Sequence, residues 1–180
     1  MTITIREARH TDAAALIKLM EQLAEFEKME DSFHPSERRT MMFLANADYT
    51  SSYHDAEDGR RMLGWIAEDD NGRPVGFAVG FYGGLSSFAS TWEFCLHDLF
   101  VHPNVRRQGL AEKFFQHMAN KVIHHVGIIS FEVLDWNINA IRLYEGLGAQ
   151  YCGERIEQDG TTWKQMQIKG DEFVALARAR

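Results

Sequence analysis

Arg106, Arg107, Gly109 and Ala111 lie close together in VHPNVRRQGLAEKFF, residues 101–115. Their chemistry is that of an anion cradle. An apolar strand is predicted to end at Val101 and an amphipathic helix to begin near Gln108. The start of a helix carries partial positive charge and N–H groups without helical acceptors, so it favours phosphates and opposes arginines. Two arginines there are either solvated surface groups or the partners of something anionic. Glycine at 109 removes a side chain that would keep a phosphate from the backbone, Ala111 is small, and the guanidinium groups supply charge-assisted bonds. A pyrophosphate held there would sit at the carboxyl end of a strand, where α/β folds place ligands. The spacing matches neither GxxxxGK[ST] nor GxGxxG, so the segment by itself leaves both readings open. His102, His117, His124 and His125 lack metal-ligand spacing, and no metal site is expected.

The elements that must position this turn follow from periodicity. Residues 2–8 alternate like a strand, Thr11 is a suitable N-cap, and Leu16, Leu19, Met20, Leu23 and Phe26 recur at helical spacing as one buried face. Ser36 is placed to cap a second helix over 36–46, with Met41, Phe43 and Leu44 as its apolar contacts. Residues 27–33, 48–60 and 83–90 read as loops. Strands at 61–69 and 74–82 flank Asn71-Gly72, a strong hairpin signal. A long strand at 91–101 leads to the helix at 108–123 and then to an apolar strand at 126–134, expected to be buried on both faces. A helix at 138–146, strands at 149–157 and 162–169 around a second hairpin turn, QDGT, and a short final helix complete the chain. The crossover through 91–134 implies a locally parallel strand pair, and the hairpins add antiparallel ones.

A chain of 180 residues is long enough for one domain with a full core, and 45% hydrophobic with 25% charged residues is ordinary globular composition. The net charge of −7 argues against nucleic-acid binding, which needs a basic stripe, and suits a small cationic partner. Cys95 and Cys152 are far apart with no CxxC and read as two buried or partly buried thiols in a reducing compartment. MTITIREARHTD lacks the apolar run of a signal peptide, and no stretch reaches about 18 apolar residues, so a cytoplasmic protein without a membrane span is expected.

HDLFVHPNVRRQGLAEKFF followed by FEVLDWNINAIRLYEGLGAQ resembles the acetyl-CoA-binding core of the GNAT superfamily of N-acetyltransferases. Arg106, Gly109 and Ala111 meet its Arg/Gln-x-x-Gly-x-Gly/Ala pattern; Asn137, Tyr144, Gly148 and Ala149 meet its downstream pattern. IREARHTDAAALIKLMEQLAEFEKMED is similar to the first strand and helix of the diamine (spermidine/spermine-type) branch. The resemblance implies an α/β GNAT fold as a single domain over residues 1–180: a mixed, mostly antiparallel sheet with a splayed parallel central strand pair, flanked by helices. It implies acetyl-CoA as co-substrate, with the backbone of Leu99, Phe100 and Val101 along the pantetheine. The amides from Arg107 through Gln108, Gly109, Leu110 and Ala111 to Glu112 would lie at the pyrophosphate, with Asn137 and Ala140 on the other side. It also implies a homodimer.

Direct attack of an amine on the thioester needs an amine base and an acid for the leaving thiolate. The resemblance makes Tyr144 the acid; the alternative is a tyrosine whose ring simply fills the core. Diamine acetyltransferases carry Glu-Asp where this chain has His97-Asp98. His97 is therefore either the base, as an ordinary imidazole of pKa near ~6.5 permits, or a strand histidine beside a water relay, and Asp98 a contact for a cationic acceptor. Phe26, Glu27, Glu132 and Trp163 are the remaining acceptor-side candidates. Glu132 lies on the apolar strand and needs a partner or a ligand; Trp163 offers a cation–π face. Phe26 is otherwise core by spacing and Glu27 a solvated helix end. Ser87 and Ala89 replace the acidic residue and Trp of the polyamine enzymes. The implied acceptors are thus small diamines, thialysine-like amino acids and other primary amines. A peptide amine acceptor and a non-catalytic acyl-CoA-binding module are the alternatives.

Overall fold

A computed structural model describes residues 2–44, 62–86 and 91–179. In chain order the elements are β1 (Thr4–Glu7), α1 (Ala13–Glu27), α2 (Glu37–Leu44), β2 (Met62–Glu68), β3 (Pro74–Ser86), β4 (Thr91–Val101), α3 (Leu110–Val122), β5 (Ile128–Leu134), α4 (Ile138–Gly146), β6 (Gln150–Ile156), β7 (Thr162–Lys169) and α5 (Gly170–Arg178). The strands follow one another as β1-β2-β3-β4-β5-β7-β6 in a mixed sheet. β4 and β5 run parallel, while the hairpins β2–β3 and β6–β7 and the pair β5–β7 are antiparallel. This is the α/β arrangement expected from the sequence. The chain divides into two compact units, residues 1–81 with 98–114 and residues 82–97 with 115–180.

In the first unit the β2–β3 turn forms as Asn71-Gly72 demanded. Asp69, buried behind it, accepts the amides of Asn71 and Arg73 at 2.9 and 3.0 Å, and Gly72 takes the left-handed φ of 71°. Leu16, Leu19 and Leu23 of α1 join Leu44, Ile66, Phe77, Val79 and Phe100 in the core. Gly76 is where β3 comes close to β4: a Cβ there would stand 2.8 Å from the Phe100 carbonyl oxygen. Thr11 does not cap α1. It lies in a 3-10 turn over His10–Asp12, and Asp12 occupies the N-cap position.

Asp12 serves instead as an electrostatic tie. Arg6 donates to its two oxygens at 2.7 and 2.9 Å and to Glu68 at 2.7 and 3.0 Å, and the Arg9 amide donates to Asp12 at 2.7 Å. The Arg6 hydrogen bonds hold the Asp12 carboxyl below the usual carboxylate range. A depressed folded pKa means stability that is present above the unfolded value of about 4 and lost as pH falls through the lower folded value. Asp12→Asn is expected to cost about 1–2 kcal/mol at neutral pH, the low end for a charged hydrogen bond because Arg6 is one-third exposed. Thermal melts of both proteins, repeated towards pH 3, should show the gap closing; a gap independent of pH contradicts the tie.

In the second unit the aromatic rings of Phe115 (α3), Phe131 (β5) and Tyr144 (α4) interlock, with centroids 4.6–5.4 Å apart. β5 is buried on one face at Ile129, Phe131 and Val133; on the other, Ile128 and Leu134 are buried and Ser130 and Glu132 between them are only partly buried, so the expected burial on both faces holds except at its centre. The centre of that second face is polar, which is where the near-continuous apolar run breaks. The expected loop at 83–90 is strand as far as Ser86. Residues 87–90, with Ser87 and Ala89, and the loop predicted at 48–60 lie outside the described residues, as does the side chain of Phe43. α3 begins at Leu110, two residues later than expected. Cys95 is partly buried, but Cys152 is exposed, against expectation; both are free thiols. Among the described residues no helix is long and apolar enough to cross a membrane.

Candidate active site

The turn between β4 and α3 is built from backbone that few side chains tolerate. Arg107 has φ 61° and Gly109 φ 73°. Glycine accepts that conformation freely, whereas an arginine there is strained, and such strain gathers at functional sites. Successive N–H groups in this conformation form an anion-binding concavity. The Lys113 amide reaches back to the Gly109 carbonyl at 3.0 Å, so α3's helical hydrogen bonding starts there and the amides of its opening turn point out towards the turn. A Cβ at Gly109 would meet no atom within 4 Å. The turn is therefore open as well as donor-rich, and it fits a phosphate group. Arg106, Arg107, Gln108 and Glu112 are exposed, Ala111 is half-buried and Leu110 is buried.

The two arginines differ in a way the sequence did not reveal. Arg106 Nε donates to the Val101 carbonyl at 2.8 Å, and its guanidinium lies 5.1 Å from the Phe26 ring centroid and 5.9 Å from that of Phe100. Arg106 thus clips the turn to β4 and to the end of α1. Phe26 is 38% exposed, which corrects its placement in the core: it continues the helical stripe but lies beyond the edge of what α1 covers. Glu27, half-buried, ends α1, and Lys28 follows with φ 60°. Of the strand residues expected along the pantetheine, Phe100 is buried and Leu99 and Val101 are half-buried.

In the second unit, β4 and β5 are in register from Glu93↔Ile128 to Leu96↔Phe131. Cys95 pairs with Ser130, so by alternation His97 and Glu132 lie on the same face, one step further along. The two interact electrostatically, and His97 is exposed. Glu132 already has protein partners. Arg155 donates to it from Nη2 at 2.6 Å and from Nε at 3.0 and 3.2 Å, and Gln165 Nε2 adds 3.0 Å. The Arg155 bonds are the main reason its carboxyl is held below the usual range. Arg155 also donates through Nη1 to Glu157 and lies over the Trp163 ring at 5.7 Å.

The acetyltransferase (GNAT) family model matches residues 18–149. This chain belongs to that family. The acetyltransferase is 30% identical over 181 residues to the Bos taurus thialysine N-epsilon-acetyltransferase, covering 97% of each chain. Among solved structures it is similar to the ribosomal-protein-S18-alanine N-acetyltransferase of Escherichia coli, with 25% identity, TM-score 0.65 and coverage of 93% of this chain and 94% of that one. A spermidine N-acetyltransferase SpeG chimera from Vibrio cholerae and hSSAT shares the fold, with 17% identity, TM-score 0.67 and coverage of 97% and 99%.

The remaining expected residues of the acetyltransferase have these places. Tyr144 is buried with its ring in the aromatic cluster, so the core reading of its ring holds whatever its hydroxyl does. Asn137 caps α4, its side-chain oxygen accepting the Ala140 amide at 3.3 Å. Asp98 is half-buried, as is Trp163. Among the described residues no group of three or more His, Cys, Asp or Glu is placed to hold a metal. Arg155, in a polar hairpin strand, carries no sequence signal of its own. The hairpin supplies one: the QDGT turn sets Arg155 opposite Trp163.

Proposed function

We propose that this acetyltransferase moves the acetyl group of acetyl-CoA to the side-chain amine of a small thialysine-like molecule, with residues 1–180 working as one domain. The supporting observation is the similarity along 97% of both chains to a thialysine N-epsilon-acetyltransferase. The family uses acetyl-CoA, and the left-handed Arg107–Gly109 turn ahead of α3 has the open, donor-rich backbone its pyrophosphate needs. In this reading the amides of residues 107–112 and Arg107 hold the pyrophosphate, the Leu99–Val101 backbone meets the pantetheine, and Asn137 and Ala140 flank it.

The chemistry needs three proton movements. His97 takes a proton from the acceptor ammonium, directly or through water. The neutral nitrogen forms the new bond to the acetyl carbon as the carbon–sulfur bond breaks, the Tyr144 hydroxyl protonates the departing sulfur, and the second proton that the nitrogen sheds on becoming an amide returns through solvent to the Tyr144 oxygen. Phe26, Glu27, Asp98, Glu132 and Trp163 are the acceptor-side residues. Free-thiol release with acetyl-CoA and a panel of thialysine, lysine, diamines and polyamines tests the reading. Tight acetyl-CoA binding with no turnover of any amine would overturn it. His97→Ala is expected to flatten the acidic limb of the pH–rate profile, since a base is lost where it would otherwise become protonated. An unchanged limb would assign the proton to water or Asp98.

A further inference from the structure

The polar face of the second unit carries a charge pattern that a simple amine site does not need. Two carboxylates, Glu132 and Glu157, share one guanidinium, Arg155. Arg155 has five N–H donors. Three are engaged by these carboxylates, and among the described residues two remain, on a side chain that is 43% exposed. The indole Nε1 of Trp163, under the same guanidinium, is a buried donor with no partner among the described residues. A buried unpaired donor is rare and costly unless something else completes it. The cluster therefore holds one surplus negative charge together with unfilled donors grouped around one positive charge.

Resting on the functional reading above, we propose that Arg155, with Glu132, Glu157 and Trp163, is the specificity element that reads the α-amino-acid end of the acceptor. The α-carboxylate pairs with the free edge of Arg155 and the Trp163 N–H. The α-ammonium pairs with the carboxylates. A diamine or polyamine offers its second ammonium to the same carboxylates but leaves the free edge of Arg155 and the Trp163 N–H without an anion, so the diamino acid gains a charge-assisted contact that the diamine lacks. The placement suits it. His97 stands on β4, Glu132 on the neighbouring β5, and Gln165 beyond it on β7. Neighbouring strands lie about 4.8 Å apart, so reaching from His97 to the Glu132–Arg155 pair takes on the order of 5–7 Å, about the span of an extended four-atom side chain. Glu132 remains anionic at neutral pH, because Arg155 holds it below the ordinary carboxylate range.

The test uses two acceptors that differ by one group: thialysine and its decarboxylated counterpart, bis(2-aminoethyl) sulfide. Arg155→Met should lower kcat/KM for thialysine about 10²-fold, mainly through the acceptor KM. It should leave the diamine unchanged or improved and leave the KM for acetyl-CoA unchanged. Arg155→Lys, which keeps the charge but not the fork, should fall between. An equal loss on both acceptors, in Arg155→Met and Arg155→Lys alike, would make Arg155 merely structural and overturn the assignment while leaving the acetyltransferase reading intact. A wild-type enzyme that turned over the diamine as well as thialysine would overturn it too. A wild-type enzyme inactive on both acceptors and on every other small amine would instead sink the functional reading, and this assignment with it.

Discussion

Tyr144→Phe is expected to reduce kcat about 10²-fold, the low end for loss of a positioned acid, with little change in acetyl-CoA affinity. The substitution keeps the ring and so keeps the packing. Phe131 and Phe115 hold that ring with centroids at 4.6 and 5.4 Å, and phenylalanine fills the same place. Only the hydroxyl is removed. Thermal stability should therefore change by less than about 1 kcal/mol, which separates a chemical role from a structural one. The pH profile adds a second check. A general acid must carry its proton, so the wild-type rate should fall at the basic end and the variant should lose that limb. An undiminished kcat, or a fall matched by a fall in melting temperature, would remove the hydroxyl from the mechanism.

Arg107→Glu should weaken coenzyme A binding about 10–100-fold or more. Losing one charge-assisted bond is worth about 1.5–3 kcal/mol, and the new carboxylate repels phosphate besides. The backbone makes this position informative. Arg107 sits at φ 61°, a region that costs a non-glycine residue on the order of 1 kcal/mol. Arg107→Gly removes the charge but relaxes the strain. It should bind coenzyme A about 10-fold less well while melting no lower than the wild type. Calorimetric titration and thermal melts of the three proteins give four differences from the wild type that must agree. Equal affinity in Arg107→Glu would contradict the cradle, and a lower melting temperature in Arg107→Gly would contradict the strain.

Local patterns were legible wherever the cause was local. Asn71-Gly72 and QDGT became hairpin turns because positive φ and short polar loops leave few alternatives. The crossover through α3 became a parallel pair, since only a covered crossover joins parallel strands. Phe26 was misplaced for a physical reason. Helical spacing identifies a stripe, but not how far the partner surface extends beneath it, and the last turn of α1 overhangs. On β5 the near-continuous apolar run implies burial on both faces; Ile128 and Leu134 meet that, while Ser130 and Glu132 between them are only partly buried because their polar groups take partners instead. The turn at 106–112 was legible as a strand-to-helix turn, because the strand end, the glycine and the helix start lie within a few positions of each other.

The sequence by itself determined the alternation of strands and helices, the turn that can accept a pyrophosphate, and membership of an acetyltransferase family, all carried by contiguous residues. Tertiary structure alone decided the partners of the charged groups. Glu132 meets an arginine 23 positions away and a glutamine 33 positions away, on strands whose order is set by the packing of the whole sheet. Arg106 turned out to be a clip against Phe26 and Phe100, and its neighbour Arg107 the strained residue. Both outcomes depend on where side chains from distant segments arrive in space. Electrostatic pairing acts over a few ångströms of space and takes no account of distance along the chain.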